Sequence, residues 1–165
     1  MVKLPVVWLF GLSGAGKTTT AKNLLKTLLG EFIHIDGDEF REFFSQDLGY
    51  ALKERQENIK RIQKLTSFLN EKGLGVVVSA LYLNQELSNW NRHNFKYYLE
   101  VYIDAPRNVL KTRNTKGLYE VSTEEVVGVD ISWNPPKISD LKIDTSVLSQ
   151  DETVELILKA LECIK

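Results

Sequence analysis

Short apolar runs alternate with amphipathic helical patterns along the whole chain. Residues 6–10 (Val-Val-Trp-Leu-Phe) are continuously apolar, which is the pattern of a strand buried on both faces of a sheet. Four further segments have the length and composition of strands: residues 32–35, 76–78, 98–103 and 141–143. Because helical patterns separate these segments, the sequence predicts an α/β fold: a mostly parallel, five-stranded sheet between two layers of helices.

Helices are predicted between and after these strands. The first begins at Lys17, carries apolar residues at helical spacing up to Leu29, and is expected to end at Gly30. Three more are expected over residues 52–72, 85–94 and 106–114. The last follows Ser149, which has with Glu152 the spacing of an N-terminal capping box. In such sheets, ligands bind beyond the carboxyl ends of the strands.

Length and composition indicate one globular domain spanning residues 1–165. Of the 165 residues, 43% are hydrophobic and 26% charged, and the formal net charge is −1. Attachment to nucleic acid or membrane by bulk positive charge is thereby excluded. Cys163 is the only cysteine, which excludes an internal disulfide and a cysteine-based zinc cluster. No apolar run reaches transmembrane length, and the first strand begins too early for a secretory signal, so we expect a cytoplasmic protein.

One motif indicates phosphate binding. Residues 11–18 (Gly-Leu-Ser-Gly-Ala-Gly-Lys-Thr) match the pattern GxxxxGK[ST] at every fixed position. The glycines let successive backbone N–H groups point at phosphate oxygens, and the helix that follows adds its N-terminal dipole. A predicted buried strand precedes the motif and a predicted helix follows it, as in a P-loop protein. The sequence therefore predicts nucleoside triphosphate binding, with Lys17 on the β- and γ-phosphates and Thr18 on Mg²⁺.

A small-molecule kinase fits this motif better than other P-loop classes do. A GTPase needs Asn-Lys-x-Asp and Asp-x-x-Gly segments, and neither occurs in the chain. Motor and AAA-type ATPases usually carry an acidic residue directly after a core strand, whereas the strand at 76–78 runs into Ser79 and Ala80. A kinase needs an acceptor site beside its phosphate loop, and Asp36-Gly37-Asp38 provides a candidate where the second strand ends.

Asp36 and Asp38 allow two interpretations. At strand spacing both would project to the same side, where one carboxylate accepts a proton from an attacking hydroxyl and the pair holds Mg²⁺ through water. Alternatively, the segment is a turn in which an aspartate caps a helix beginning near Glu39. The local sequence leaves both open.

The helix predicted over residues 52–72 carries polar residues on its apolar face. Arg55 and Asn58 fall on the same stripe as Ile59 and Ile62. A charged side chain in line with the core needs a partner, so we expect Arg55 to face a cleft that holds an anion. Arg61 points elsewhere and is interpreted as a solvent-exposed charge on the helix surface.

Several aromatic residues have simpler interpretations. Trp8 and the pair Phe43-Phe44 are expected to pack in the core or at a hinge. Trp133 lies in a proline-rich loop, where it either covers a nucleotide or packs that loop.

Together these residues resemble the adenylylsulfate (APS) kinases over most of the chain. The likeness begins at the phosphate loop, residues 11–19, which is generic to P-loop proteins. It continues without a gap through Asp36-Gly37-Asp38, Arg41, Asp47-Leu48-Gly49-Tyr50, Arg55, Glu57-Asn58 and Arg61. Later matches are Val101-Tyr102-Ile103-Asp104, Arg113, Lys116-Gly117-Leu118-Tyr119, Gly128-Val129-Asp130 and Ile143-Asp144-Thr145. The combined order and spacing are specific to that family.

The resemblance implies a single P-loop nucleotide kinase domain that phosphorylates the ribose 3′-hydroxyl of a small nucleotide, using ATP and Mg²⁺. The implied catalytic residues are Asp38, as base or orienter of the hydroxyl, Lys17 and Asp36. Thr18 and Asp36 would hold Mg²⁺, partly through water. The implied ATP-binding residues are Gly11, Ser13, Gly14, Ala15, Gly16, Lys17, Thr18, Thr19 and Arg113. The implied acceptor-binding residues are Arg41, Tyr50, Arg55, Asn58 and Lys116.

Within this set, the resemblance places the ring of Tyr50 on the acceptor's base, and Arg113 and Lys116 near the transition-state charge. It implies a small-molecule nucleotide acceptor as the partner, is compatible with a homodimer, and implies no nucleic acid or membrane partner.

The chain departs from the family in its acceptor half. Val126 stands where the family has a second aromatic that closes a sandwich on adenine, and stacking contributes about 1–3 kcal/mol per base. Leu81-Tyr82-Leu83-Asn84-Gln85 replaces a Ser-Pro-Tyr-Arg stretch. The Ala-Arg-x-Gly segment of the lid is missing, and that region carries Glu120, Glu124 and Glu125. The residues that the resemblance assigns to ATP are thus retained, whereas part of the region that would bind the acceptor is altered.

Three alternatives follow from these departures. A kinase of cytidine diphosphoramidate, in bacterial capsule modification, fits a lost aromatic and a lost arginine, because its acceptor has a smaller base and an uncharged amide end. A kinase of a sugar or another metabolite hydroxyl needs no stacking by Tyr50. A non-catalytic nucleotide-binding regulator fits the shortened lid, although it does not need the Asp36 and Asp38 pair.

Overall fold

Five parallel strands form one sheet in the computed structural model, which describes residues 4–113 and 132–164. The strands are β1 (Val6–Phe10), β2 (Phe32–Asp36), β3 (Gly75–Ala80), β4 (Tyr98–Asp104) and β5 (Leu141–Asp144). Their order across the sheet is β2-β3-β1-β4-β5, and every neighbouring pair is parallel. The predicted five-stranded parallel sheet is therefore confirmed.

Helices connect successive strands and cover the sheet. They are α1 (Lys17–Leu25), α2 (Gly37–Phe44), α3 (Leu52–Glu71), α4 (Gln85–Asn94), α5 (Arg107–Thr112) and α6 (Gln150–Glu162). The capping box at the start of α6 is confirmed: Ser149 Oγ accepts from the Glu152 N–H at 3.2 Å, and the Ser149 N–H donates to Glu152 Oε2 at 2.8 Å.

Side chains of β1 alternate between two hydrophobic cores. Trp8 and Phe10 belong to the core beneath α3 and α4, whereas Val7 and Leu9 belong to the core beneath α1, α5 and α6. This alternation follows from the two-residue period of a strand, and each of these side chains is fully buried. The sheet therefore lies between two helical layers, as predicted for a three-layer α/β/α fold.

The first helix is shorter than predicted. α1 ends at Leu25, and the N–H groups of Lys26 and Thr27 bond to Asn23 and Leu24 in a tighter final turn. The Thr27 hydroxyl also donates to the Leu24 carbonyl at 2.8 Å. Such local bonds from threonine compete with helix continuation, so Gly30 belongs to the turn before β2 instead of capping the helix.

Trp8 is buried in the core as expected, whereas Phe43 and Phe44 do not pack in the core; the hinge alternative for that pair stays a prediction. α2 has eight residues and buries only Phe40. Phe43 is 68% exposed and Phe44 65% exposed, although the Phe44 ring stacks on Phe40 with centroids 5.1 Å apart. Trp133 packs its loop: its indole N–H donates to the Leu83 carbonyl at 3.0 Å.

Candidate active site

A cavity of about 370 Å³ opens where β1, β2 and β3 end. Because these strands are parallel neighbours, the segments that follow them meet at one edge of the sheet. The cavity is lined by Ser13, Gly14, Gly16, Lys17, Thr18, Thr19, Asp36, Asp38, Ser79, Leu81, Arg113 and Gln150. We call it the phosphate-loop cavity. Nine of the residues predicted for ATP or catalysis line it.

The loop between β1 and α1 has the backbone of a phosphate cradle. Gly14 and Gly16 have φ values of 82° and 99°, a backbone conformation that residues other than glycine rarely adopt. Gly11, also at positive φ, lies against the Ile103 carbonyl, where a Cβ would clash. No side chain caps the N-terminus of α1, so its first N–H groups remain available to an anion.

Lys17 lies at the start of α1 and lines the cavity. Its ammonium group donates to the Leu12 carbonyl at 2.8 Å, across the loop. Gly11 and Ala15, also predicted to bind ATP, are buried beneath the loop instead of lining the cavity. Their predicted part in ATP binding stays a prediction.

Asp36 is held by hydrogen bonds on both carboxylate oxygens. It is the last residue of β2 and the N-cap of α2, and its Oδ1 accepts from the Asp38 N–H at 3.0 Å. Its Oδ2 accepts from the Thr18 hydroxyl at 2.7 Å and the Ser79 hydroxyl at 2.8 Å. Asp36 caps a helix, as the second interpretation predicted, and strand spacing does not reach Asp38, which lies in the first turn of α2; the catalytic and Mg²⁺ roles of the pair stay predictions. Both carboxylates nevertheless line the cavity.

The hydrogen bonds keep Asp36 ionised. Burial by itself raises the pKa of this carboxyl, but the bonds from Thr18, Ser79 and two backbone N–H groups outweigh it, and the pKa lies below its ordinary value. Since the single Ser79 proton goes to Asp36, the ring N–H of His34 Nε2 donates to Ser79 Oγ at 2.8 Å. Burial lowers the pKa of His34, so the ring favours its neutral form.

The oxygen atoms available at this position suit a hard divalent cation as ligands. Thr18 and Asp36 offer a hydroxyl and a carboxylate, the oxygen ligands that Mg²⁺ prefers when phosphate oxygens and water complete its shell. Over residues 4–113 and 132–164, no group of three or more His, Cys, Asp or Glu side chains is arranged to hold a metal. A magnesium ion here would therefore depend on the nucleotide for further ligands.

Two arginines surround Tyr50 between α2 and α3. The guanidinium carbons of Arg41 and Arg55 lie 4.8 and 5.3 Å from the ring centroid of Tyr50. Arg41 also donates to the Leu48 and Gly49 carbonyls, and Arg55 Nε donates to the Tyr50 carbonyl at 2.8 Å. We call Arg41, Tyr50 and Arg55 the Tyr50 cluster. The structure thus brings these three predicted acceptor residues together.

Arg61 and Glu54 hold the loop that presents Tyr50. Arg61 forms two 2.6 Å hydrogen bonds with the carboxylate of Asp47 and donates to the Phe44 carbonyl. The Glu54 carboxylate accepts from the N–H groups of Gly49 and Ala51. Arg61 lies at the protein surface, as interpreted, but its side chain is also ion-paired with Asp47 and holds residues 44–47 in place.

Asn58 is buried one helical turn after Arg55. It is 5% exposed, and its Oδ1 has no hydrogen-bond partner among the described residues. A buried oxygen without a partner is costly, so this position suits a ligand or water that donates to it.

Arg113 reaches the cavity from the end of α5. Its guanidinium donates from Nη1 to the Thr145 hydroxyl at 2.9 Å and from Nη2 to the Thr145 carbonyl at 2.7 Å. Lys116, Val126 and the acidic residues at 120, 124 and 125 lie outside the described residues, so their predicted roles stay predictions.

Sequence analysis missed three residues of the cavity wall. Ser79 is the penultimate residue of β3 and lies opposite Asp36 in the sheet register, Leu81 directly follows β3, and Gln150 begins α6. Ser79 could have been found, because a polar residue at the carboxyl end of a buried strand points toward a ligand site. Gln150 has no such local signal, since only the tertiary structure brings α6 beside the phosphate loop.

Comparisons with known proteins agree with this geometry. The chain matches the model of the family described as Adenylylsulphate kinase over residues 3–144. The chain belongs to that family. Membership of this family explains the phosphate loop. The chain is therefore a kinase with a nucleotide-binding P-loop fold.

Relatives of this adenylylsulphate kinase family member carry two different names. A cytidine diphosphoramidate kinase of Campylobacter jejuni is 38% identical, with 94% of this chain and 95% of the relative covered. An adenylyl-sulfate kinase of Chloroflexus aurantiacus is 37% identical, with 95% and 88% covered. The APS kinase of Mycobacterium tuberculosis, solved with AMPPNP and APS, superposes with a TM-score of 0.86 at 28% identity, covering 97% and 98% of the chains.

Within residues 4–113 and 132–164, no helix is both long enough and apolar enough to cross a bilayer.

Proposed function

We propose that this chain transfers the γ-phosphate of ATP to the ribose 3′-hydroxyl of a small nucleotide, as its resemblance to the APS kinases implies. One observation carries the proposal: Asp36 and Asp38 line the same cavity as Lys17 and Thr18 of the phosphate loop. A protein that only binds nucleotides needs the loop but not a carboxylate placed to accept a proton beside it.

The phosphate-loop cavity, which we call the donor half of the site, neutralises and positions the triphosphate of ATP. The uncapped N-terminus of α1 and the ammonium group of Lys17 supply positive charge to the β- and γ-phosphates. Thr18 and Asp36 would hold Mg²⁺, which supplies charge neutralisation when bound. Since phosphoryl transfer depends on positioning and charge stabilisation, these groups account for most of the required catalysis.

Asp38 acts on the acceptor hydroxyl. Its carboxylate lies in the first turn of α2 and lines the cavity. In the transfer step the acceptor oxygen bonds to the γ-phosphorus while the bond from that phosphorus to the β,γ-bridging oxygen breaks. ADP leaves with the bond electrons, and the hydroxyl proton passes to the carboxylate of Asp38.

The Tyr50 cluster binds the acceptor. Arg41 follows Asp38 by three residues on α2, so both belong to the same helix, although none of the cluster's residues lines the phosphate-loop cavity itself. Two guanidinium groups suit an anionic acceptor, and the ring between them offers a surface for a base. Asn58, with its unpartnered oxygen, supplies a hydrogen-bond acceptor beside them.

An ATP-consumption assay with Mg²⁺ across a panel of acceptors tests the proposal. The panel contains APS, cytidine diphosphoramidate, CDP, ADP and simple sugars, with Lys17→Ala as the inactive control. We expect turnover with a nucleotide acceptor and none with sugars. Turnover of a sugar in preference to every nucleotide would contradict the proposal, as would ATP consumption that no acceptor stimulates. The homodimer stays a prediction, which light scattering of the purified chain tests.

Two observations support cytidine diphosphoramidate as the second candidate acceptor. The Campylobacter jejuni relative of that name is 38% identical over nearly the whole chain. In addition, the altered stretch at 81–85 makes internal contacts: Tyr82 and Leu83 are buried, and Gln85 accepts from the Lys137 N–H. Of this stretch, Leu81 alone lines the cavity, and an apolar residue suits an uncharged end group. Preferential turnover of cytidine diphosphoramidate over APS in the same assay would favour this candidate.

A further inference from the structure

The matched segment Ile143-Asp144-Thr145 has no role in the chemistry described above. Thr145 follows β5 directly and is 4% exposed. It lies 130 residues from Ala15 in sequence, yet its hydroxyl is 2.8 Å from the Ala15 carbonyl of the phosphate loop. The same hydroxyl and the Thr145 carbonyl are the two acceptors of Arg113.

The proton count of this hydroxyl fixes the direction of each bond. Arg113 has only donors, so Thr145 Oγ1 accepts from it. The single hydroxyl proton is then free to be donated to the Ala15 carbonyl, which is closer than the Asp104 carbonyl at 3.3 Å. A continuous path of hydrogen bonds therefore runs from the guanidinium of Arg113 through Thr145 to the backbone of the phosphate loop.

The surrounding backbone leaves this arrangement little freedom. The Thr145 N–H donates to the Asp104 carbonyl at 3.0 Å, which fixes the segment to the end of β4. A Cβ added at Gly14 would lie 3.2 Å from the Leu110 carbonyl and 3.8 Å from Arg113 Cβ, so the phosphate loop packs directly on α5. The guanidinium of Arg113 is thus held at the cavity with two of its donors fixed.

We propose that Thr145 is a positioning residue for the donor nucleotide, which fixes the guanidinium of Arg113 and the phosphate loop relative to each other. The inference rests on the proposed binding of ATP in the phosphate-loop cavity. Thr145→Val keeps the shape of the side chain but removes the hydroxyl, so the hydrogen bonds with Arg113 Nη1 and with the Ala15 carbonyl are lost. Thr145→Ser keeps the hydroxyl and therefore both bonds.

Calorimetric binding of AMP-PNP with Mg²⁺ tests the proposal without needing an acceptor. We expect Thr145→Val to weaken binding about tenfold, since removing a buried hydroxyl leaves two charged or polar partners unsatisfied. Thr145→Ser should bind within about twofold of the wild type. Thr153→Val is the matched control, because Thr153 is also buried but its hydroxyl has no partner among the described residues.

A double-mutant cycle separates positioning from general loss of stability. In an Arg113→Ala background, Thr145→Val should weaken AMP-PNP binding much less than in the wild type, because the group that it positions is gone. Equal weakening in both backgrounds would overturn the proposal, and so would unchanged binding by Thr145→Val.

Arg113→Lys provides a second test in case Thr145→Val fails to fold. This substitution keeps the positive charge but not the two hydrogen bonds to Thr145, so it should weaken AMP-PNP binding as Thr145→Val does. Wild-type affinity in Arg113→Lys would also overturn the proposal. Absence of AMP-PNP binding by the wild type is a different failure, which would overturn the proposed function itself.

Discussion

The phosphate-loop cavity and the Tyr50 cluster are built from different parts of the chain. The cavity is shaped by main chain: glycines at positive φ, an uncapped helix N-terminus, and a loop packed against β4 and α5. The Tyr50 cluster consists of side chains on two helices and a loop, and its tyrosine is 54% exposed.

If the Tyr50 cluster binds the acceptor as proposed, this difference offers a reason why one fold can serve several acceptors. Changing a backbone cradle requires changing the packing beneath it, whereas a side-chain cluster changes by one substitution at a time. Relatives that are 38% and 37% identical to this chain carry the names of different acceptors. We therefore expect acceptor specificity to vary in the Tyr50 cluster and its surroundings, while the donor half stays fixed.

The largest effect should come from Asp38, the carboxylate proposed to accept the hydroxyl proton. Asp38→Asn removes the proton acceptor but keeps the size of the side chain, so kcat should fall by about 10²–10⁴-fold while AMP-PNP binding is unchanged. Steady-state kinetics and calorimetry measure these two quantities. Glu39→Gln, the adjacent exposed residue of α2, is the control and should retain activity. Full activity in Asp38→Asn would remove the basis for calling Asp38 the base.

A smaller effect confined to the acceptor is expected from Tyr50→Ala. Loss of one stacking surface and of the contact with two arginines should raise the acceptor KM about tenfold and leave the ATP KM unchanged. Phe43→Ala removes another exposed aromatic and should change neither constant. If Tyr50→Ala leaves the acceptor KM unaltered, a kinase of a sugar or another metabolite becomes the better hypothesis.

Arg61→Ala tests whether the support of the Tyr50 loop matters for binding. This substitution removes the paired bonds to Asp47 and the bond to the Phe44 carbonyl, so the acceptor KM should rise by less than in Tyr50→Ala. The ATP KM should stay constant, because the donor half does not use this loop. Lys64→Ala, an exposed residue one turn further along α3, is the matched control. An equal rise in both KM values would mean that Arg61 stabilises the whole fold.

The smallest effect concerns the histidine beneath the donor half. Burial lowers the pKa of His34, so below pH 6.5 the unfolded chain binds a proton that the folded chain resists. The free energy of unfolding should therefore be highest above pH 6.5 and decline as the pH falls toward the folded pKa of His34. Urea unfolding at about pH 7.5 and about pH 5.5 measures this decline. His34→Gln should reduce the decline, whereas His93→Gln, on the exposed end of α4, should not.

Local spacing predicted much of the fold. Short, mainly apolar segments predicted all five described strands to within two residues at either end, and α4 begins and ends where its pattern does. The phosphate loop was predictable for the same reason, because its glycines, lysine and threonine lie within eight consecutive residues. The end of α1 was not predicted, because a bond from the Thr27 hydroxyl to the Leu24 carbonyl helps to decide it, and the start of α2 was left open between a cap and a continued strand.

The sequence by itself determined that the chain binds phosphate at the end of a buried strand, since that chemistry is encoded in adjacent residues. Only the tertiary structure decided which distant groups complete the site. Ser79 reaches Asp36 across 43 residues, and Thr145 reaches Ala15 across 130. The physical reason is that parallel strands bring their carboxyl ends together whatever the length of chain between them. The resulting hydrogen bonds depend on strand order and register, which no local pattern specifies.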